Sequence, residues 1–207
     1  MCEYRKGIHT RKEREWTENC RIHVMARGIR KMAIFKADED YLIFMKILKC
    51  VQEKTPFELH AYCLMTNHFH LLLWCKTDPI WVIMRRLMTN YAIYFNRKYG
   101  YCGHLFESRY KSSVVKDDLY FLEASRYIHL NPVKAAMVNG PLDYHYSSYH
   151  SYMNGTENSI VNKDYILGCF GDDVEKYRMF VEGKMSHKEQ ELLIQKEIGE
   201  DERWLPW

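Results

Sequence analysis

Hydrophobic and polar residues along this chain recur with two different periods. Arg21-Ile22-His23-Val24-Met25-Ala26-Arg27-Gly28 alternates in the manner of a β-strand and ends on a glycine. From Asp38 to Lys54 the period changes to that of a helix, with Tyr41, Leu42, Phe44, Met45, Leu48 and Val51 on its apolar side. Thr55-Pro56 stops that run, because the residue before a proline is pushed out of the helical region. Phe57 to Leu64 and His68 to Cys75 read as two strands joined by a turn at Thr66-Asn67. Asp78-Pro79 then opens a helix through Tyr99, with Gly100 as its stop. His104 to Val115 reads as the next extended piece. Asp117-Asp118 caps a helix from Leu119, and Asn131-Pro132 should end it. Residues 133–207 read as turns and short helices with a polar linker, Asn154 to Ser159. The order strand, helix, strand, strand, helix, strand, helix predicts an α+β fold, a central antiparallel sheet with helices packed on it. Its first six elements fit a ferredoxin-like βαββαβ arrangement. Residues 1–20 are expected to form a basic arm, 21–140 the domain, and 141–207 an extension packed on or near it.

Composition narrows the class. The chain has 207 residues, 47% hydrophobic and 28% charged, which suits one domain of ordinary size with a real core, or one domain with an appendage. No run approaches the roughly 20 apolar residues of a membrane-spanning helix. No apolar stretch follows Met1-Cys2-Glu3-Tyr4-Arg5-Lys6, so no secretory signal is read there and a cytoplasmic location is expected. The seven cysteines are scattered and never form C-x-x-C, which points to reduced thiols rather than a disulfide framework or a zinc knuckle. A net charge of +3 decides little by itself. Its distribution says more: basic residues crowd the first thirty positions and again the stretch from Arg85 to Lys116, interleaved with tyrosine and phenylalanine. That mixture suits nucleic acid, where cations meet phosphates and rings stack on bases, and it equally suits a solvated basic surface.

The candidate chemistry starts at His68-Phe69-His70. Residues i and i+2 of a strand project from the same face, so both imidazoles point one way and Phe69 the other. Two neighbouring imidazoles on a rigid strand can hold one divalent cation, or they can be ordinary polar surface.

The surrounding block, Leu64-Met65-Thr66-Asn67-His68-Phe69-His70-Leu71-Leu72-Leu73, resembles the HUH motif of the small single-strand DNA transposases with one catalytic tyrosine. These include insertion-sequence transposases and the REP-associated tyrosine transposases. The usual form has proline where this chain has Thr66, a departure in the turn and not in a ligand. A second block, Arg126-Tyr127-Ile128-His129-Leu130-Asn131-Pro132-Val133-Lys134-Ala135, resembles the tyrosine-bearing helix of the REP-associated branch. Similarity also runs through Arg21 to Phe35, Tyr94-Phe95-Asn96, Leu105 to Ser113, and weakly Tyr146 to Tyr149.

The resemblance implies that His68 and His70 are metal ligands, Tyr127 is the nucleophile, and Asn131 is a third ligand. Tyr127 and Asn131 are i and i+4, so one helix face presents both. Asn131 can equally be a helix-ending residue whose side chain caps the backbone. An oxygen ligand beside two nitrogens suits Mg²⁺ or Mn²⁺. The implied function is metal-dependent nicking and joining of single-stranded or hairpin DNA through a 5′-phosphotyrosine, by a monomer or a homodimer. Arg27, Arg85, Arg86, Arg109 and Lys111 are candidate phosphate contacts. The rival readings are a catalytically silent DNA-binding protein on the same scaffold, another HUH nickase, and an RNA-binding ferredoxin-like module. His60 and His104 are read as structural histidines.

Overall fold

A computed structural model describes residues 18–155 and 160–183. The expected N-terminal arm lies outside the described residues up to position 17, as do part of the 154–159 linker and everything after 183. The elements run β1 (Cys20–Arg27), α1 (Asp38–Lys54), β2 (Phe57–Met65), β3 (His68–Cys75), α2 (Ile80–Tyr99), β4 (Lys111–Val115) and α3 (Asp118–Lys134). Three shorter helices follow: α4 (Tyr149–Met153), α5 (Asp164–Gly168) and α6 (Val174–Glu182). The four strands form one antiparallel sheet in the order β2-β3-β1-β4. This is the expected α+β, ferredoxin-like βαββαβ arrangement.

The period-2 alternation of the strands decides what each face of the sheet buries. Ile22, Val24 and Ala26 of β1 and Phe69, Leu71 and Leu73 of β3 go to one face, under α1 and α2. Phe69 is fully buried there, with its ring 4.8 Å from that of Phe44. Full burial of a side chain of this size contributes about 2–3 kcal/mol, so the register of β3 is strongly held. Ala61, Cys63 and Met65 of β2 and Leu72 of β3 go to the other face, where α3 and the C-terminal helices build a second core with Phe121, Ile128, Tyr149 and Tyr177. His23, His68 and His70 share this second face, beside α3 and not beneath α1 and α2.

Two expectations are corrected. Only Lys111–Val115 of the 104–115 stretch is strand. Leu105 and Tyr110 are both buried in the α1/α2 core, yet they are five residues apart, an odd spacing that a strand would send to opposite faces. The segment therefore loops, held by single bonds from Ile29 N to Leu105 O at 2.9 Å and from Glu107 N to Arg27 O at 2.9 Å. Likewise α3 does not end at Asn131-Pro132 but continues to Lys134. Pro132 deprives the Ile128 carbonyl of its helical donor, but it falls within the last turn, and the chain then closes on itself. Ala135 N bonds Asn131 O, Ala136 N bonds Val133 O and Met137 N bonds Pro132 O. With Ala136 at φ 53°, this is a Schellman stop built without glycine.

Gly28 fixes the end of β1. A Cβ there would run into the Met32 carbonyl oxygen, so the close return of the chain requires glycine. Its N–H donates to Asn67 O at 2.8 Å, tying β1 to the turn that precedes His68.

Candidate active site

Tyr127 reaches its position because α3 is clamped along its length. The Asp117 side chain accepts from Tyr120 N at 2.8 Å and caps the helix start. Arg126, buried, donates to the carbonyl oxygens of Val181 at 3.2 Å and Gly183 at 2.7 Å. His129, fully buried, lies 2.8 Å from Ser148 Oγ and 3.0 Å from the Tyr177 hydroxyl. The Ser148 hydroxyl also accepts from Tyr62 N of β2 at 2.8 Å. These contacts anchor one side of α3 to the C-terminal helices and, through Ser148, to the sheet. Tyr127, partly buried, is left facing the strands.

There it meets the histidines. The Tyr127 ring stands edge-on to His70, with centroids 5.7 Å apart, and His70 is 5.1 Å from His68. Burial, opposed by a hydrogen bond from Asn131, raises the Tyr127 phenol above its ordinary pKa, so it rests protonated. Lys134 holds its ammonium 4.5 Å from the Tyr127 ring centroid. Tyr120, the other tyrosine on this side of α3, is buried in the second core.

The residues present fit a divalent cation. Burial, aided by the nearby Arg27 charge, lowers the pKa of His68 to about 4. Burial, with His68, His23 and Lys134 adding to it, holds His70 well below its usual value. Both imidazoles are therefore neutral near pH 7, the form that ligates. His68 Nδ1 lies 2.6 Å from Asn67 Oδ1, an acceptor, so the proton sits on Nδ1 and the Nε2 lone pair is left for a ligand role. Asn131 donates from Nδ2 to Tyr127 O at 3.0 Å, so what it has to offer a cation is its carbonyl oxygen. Both readings of Asn131 are thus compatible: its nitrogen bonds the backbone while its oxygen remains to ligate. The donors that this cleft offers a cation are the two imidazole nitrogens and the Asn131 amide oxygen, a set that would leave coordination positions open.

His68, His70, Tyr127, Asn131 and Lys134 line a cleft of about 1030 Å³. Arg27, Arg109 and Lys111 line it too, so three of the five expected phosphate contacts converge on the site. Arg27 is held by Glu107, with Nε at 3.0 Å and Nη2 at 2.8 Å from one carboxylate oxygen. Arg85 lines a neighbouring apolar groove, which shares Glu107, Ser108 and Arg109 with the cleft, and Arg86 is exposed on α2 outside both. His60 is packed against Phe121, as expected of a structural histidine, but it is not satisfied: Glu58 lies 3.2 Å from Nε2, and neither ring nitrogen makes a hydrogen bond of good geometry among the described residues. His104 is exposed on the groove rather than packed.

Sequence reasoning missed His23. Its Nε2 lies 3.0 Å from His70 Nδ1, and its ring centroid is 6.0 Å from that of Tyr127. The alternation of β1 puts His23 on the polar face, but which residues of β3 it would meet depends on strand register, which the sequence does not print. Glu107 was missed as well, since its partner Arg27 is eighty positions away in the chain.

Comparison with known proteins agrees in family and in fold. A family model described as IS200-like transposase matches residues 16–131, an interval that contains His23, His68, His70, Tyr127 and Asn131. The chain is similar to a Haemophilus influenzae protein provisionally named a REP-associated tyrosine transposase. The two are 29% identical over 119 residues, 52% of this chain and 67% of the relative. Among solved structures it is similar to a REP-associated tyrosine transposase bound to a REP hairpin. That likeness has a TM-score of 0.60 at 17% identity, covering 79% of this chain and 90% of the other, and at that identity it speaks for the fold.

Proposed function

The chain belongs to the IS200-like transposase family, an enzyme family acting on DNA, and from that premise we propose that it nicks and rejoins single-stranded DNA beside hairpins, with Tyr127 as nucleophile. The observation that carries this reading is the convergence of Tyr127 with His68 and His70 in one basic cleft, its ring 5.7 Å from that of His70. A DNA-binding protein without chemistry has no need of a half-buried phenol beside two neutral imidazoles.

In this reading His68, His70 and the Asn131 carbonyl would hold a Mg²⁺ or Mn²⁺ ion, which would supply Lewis-acid polarisation of the scissile phosphate and offset charge that develops there. Arg109 and Lys111 position the backbone through its phosphates, and Arg27 does so within the limits set by its bond to Glu107. The Tyr127 oxygen attacks phosphorus as its proton leaves to solvent, and the 3′ oxygen departs and takes up a proton. The products are a 5′-phosphotyrosine and a free 3′-OH. The Lys134 ammonium favours the reactive phenolate and, in the reverse step, the departing one. A second 3′-OH attacking the phosphotyrosine restores a phosphodiester, so the bond energy is kept and the strand is rejoined rather than hydrolysed. The substrate class draws on the hairpin bound by the solved structure of similar fold and on the basic lining of this cleft.

The test is cleavage of an end-labelled hairpin with single-stranded flanks. Mg²⁺ or Mn²⁺ supports product formation, EDTA abolishes it, and His68→Ala abolishes it while retaining hairpin binding. Cleavage undiminished in His68→Ala removes the metal site. Tight hairpin binding with no cleavage in either metal supports the silent DNA-binding reading instead.

A further inference from the structure

His23 takes no part in the chemistry above, yet its Nε2 lies 3.0 Å from His70 Nδ1. The sheet makes this meeting. β1 and β3 pair antiparallel with Met25 opposite His70 and His23 opposite Leu72, so His23 is the diagonal neighbour of His70 on the same face. The two rings stack, with centroids 5.2 Å apart and planes 24° apart.

We propose that His23 is a positioning residue that accepts a hydrogen bond from His70 Nδ1–H and so holds the His70 ring with Nε2 presented to the metal. The inference rests on the metal-site reading of His68 and His70. Two neutral imidazoles joined nitrogen to nitrogen share one proton, and only two arrangements exist. If His23 donates from Nε2, His70 accepts at Nδ1 and carries its own proton on Nε2, which closes that nitrogen to a cation. If His70 donates from Nδ1, its Nε2 lone pair is open, and His23 accepts at Nε2 while carrying its proton on Nδ1. Only the second arrangement makes His70 a ligand. Asn67 plays the same part for His68, through an oxygen that can only accept. Each ligand imidazole thus has its own partner at Nδ1, and the one for His70 is supplied by the first strand of the fold. A ligand histidine whose far nitrogen is held in this way is oriented before the metal arrives and is a better donor.

The test uses the full chain and Mn²⁺ as probe. Free Mn²⁺ is titrated by electron paramagnetic resonance against the unsubstituted protein, His23→Ala and His23→Gln. Alanine removes the acceptor and is expected to weaken Mn²⁺ binding by about 10- to 100-fold. Glutamine, whose carbonyl oxygen accepts from His70 Nδ1–H, recovers a large part of that loss. In cleavage assays the Mn²⁺ concentration for half-maximal rate rises with the loss of affinity, while the rate at saturating Mn²⁺ changes less. A purely packing role would not produce this split, nor the rescue by glutamine. Long-range proton–nitrogen NMR on the Mg²⁺-loaded unsubstituted protein carries the test independently of how the variants fold, and it is expected to find His70 protonated at Nδ1. His70 protonated at Nε2, or Mn²⁺ affinity within about twofold of the unsubstituted protein in a folded His23→Ala, overturns the inference. If the unsubstituted protein itself fails to bind Mn²⁺, it is the metal-site reading that fails and takes this inference with it.

Discussion

At the scale of single residues, two backbone periods assemble the candidate site, that of the strand for the histidines and that of the helix for Tyr127 and Asn131. His68 and His70 could be placed on one face because the strand period is two, and Phe69 on the other for the same reason; the structure has Phe69 fully buried against Phe44. Tyr127 and Asn131 could be joined because i and i+4 share a helix face, and the Asn131 amide does bond the Tyr127 carbonyl at 3.0 Å. Lys134 stands two turns beyond Tyr127 at the end of α3, so whether its side chain meets that ring depends on how the helix terminates. The structure puts the Lys134 ammonium 4.5 Å from the Tyr127 ring centroid, and in the proposed chemistry a positive charge there stabilises the phenolate that attacks or departs. Lys134→Ala is expected to slow single-turnover cleavage by roughly 100-fold while hairpin affinity changes far less. An unchanged single-turnover rate would remove Lys134 from the proposed chemistry.

At the scale of elements, periodicity predicted α1 and the β2–β3 hairpin closely, and erred where a local rule met a tertiary constraint. The 104–115 stretch has the composition of a strand, but Leu105 and Tyr110 are drawn into one core, and burying both outweighs the ladder that an extended segment would have gained. The resulting loop brings Arg109 to the cleft. In α3, Asn131-Pro132 looks like a stop, yet the helix runs on to Lys134 and ends in a Schellman motif at Ala136. A left-handed conformation is unfavourable for any residue with a Cβ, and Ala136 adopts it at φ 53°. Ala136→Gly is therefore expected to stabilise the fold by about 1 kcal/mol, a rise of roughly 2–4 °C in the thermal midpoint. A fall in the midpoint would mean that the helix does not end this way in solution.

At the scale of the whole molecule, the sheet separates two cores, and the candidate site belongs to the second. The first, under α1 and α2, holds β3 in register; the second, under α3 and the C-terminal helices, brings Tyr127 over the histidines. The part played by residues 141–183 was not legible, because the buried contacts from Arg126 and His129 to that segment join residues separated by 19 to 57 positions. One chain supplies the tyrosine helix and the histidine strand to the same cleft. Mixing Tyr127→Phe with His68→Ala is thus expected to restore no cleavage, whereas recovered activity would mean that the tyrosine helix is exchanged between copies. The most direct test of the central claim is peptide mapping by mass spectrometry of the protein–DNA adduct formed with Mn²⁺ and a flanked hairpin. The account predicts a nucleotide attached through phosphate to the peptide bearing Tyr127, and no adduct from Tyr127→Phe; a nucleotide on any other residue, or an adduct that survives that substitution, would contradict it.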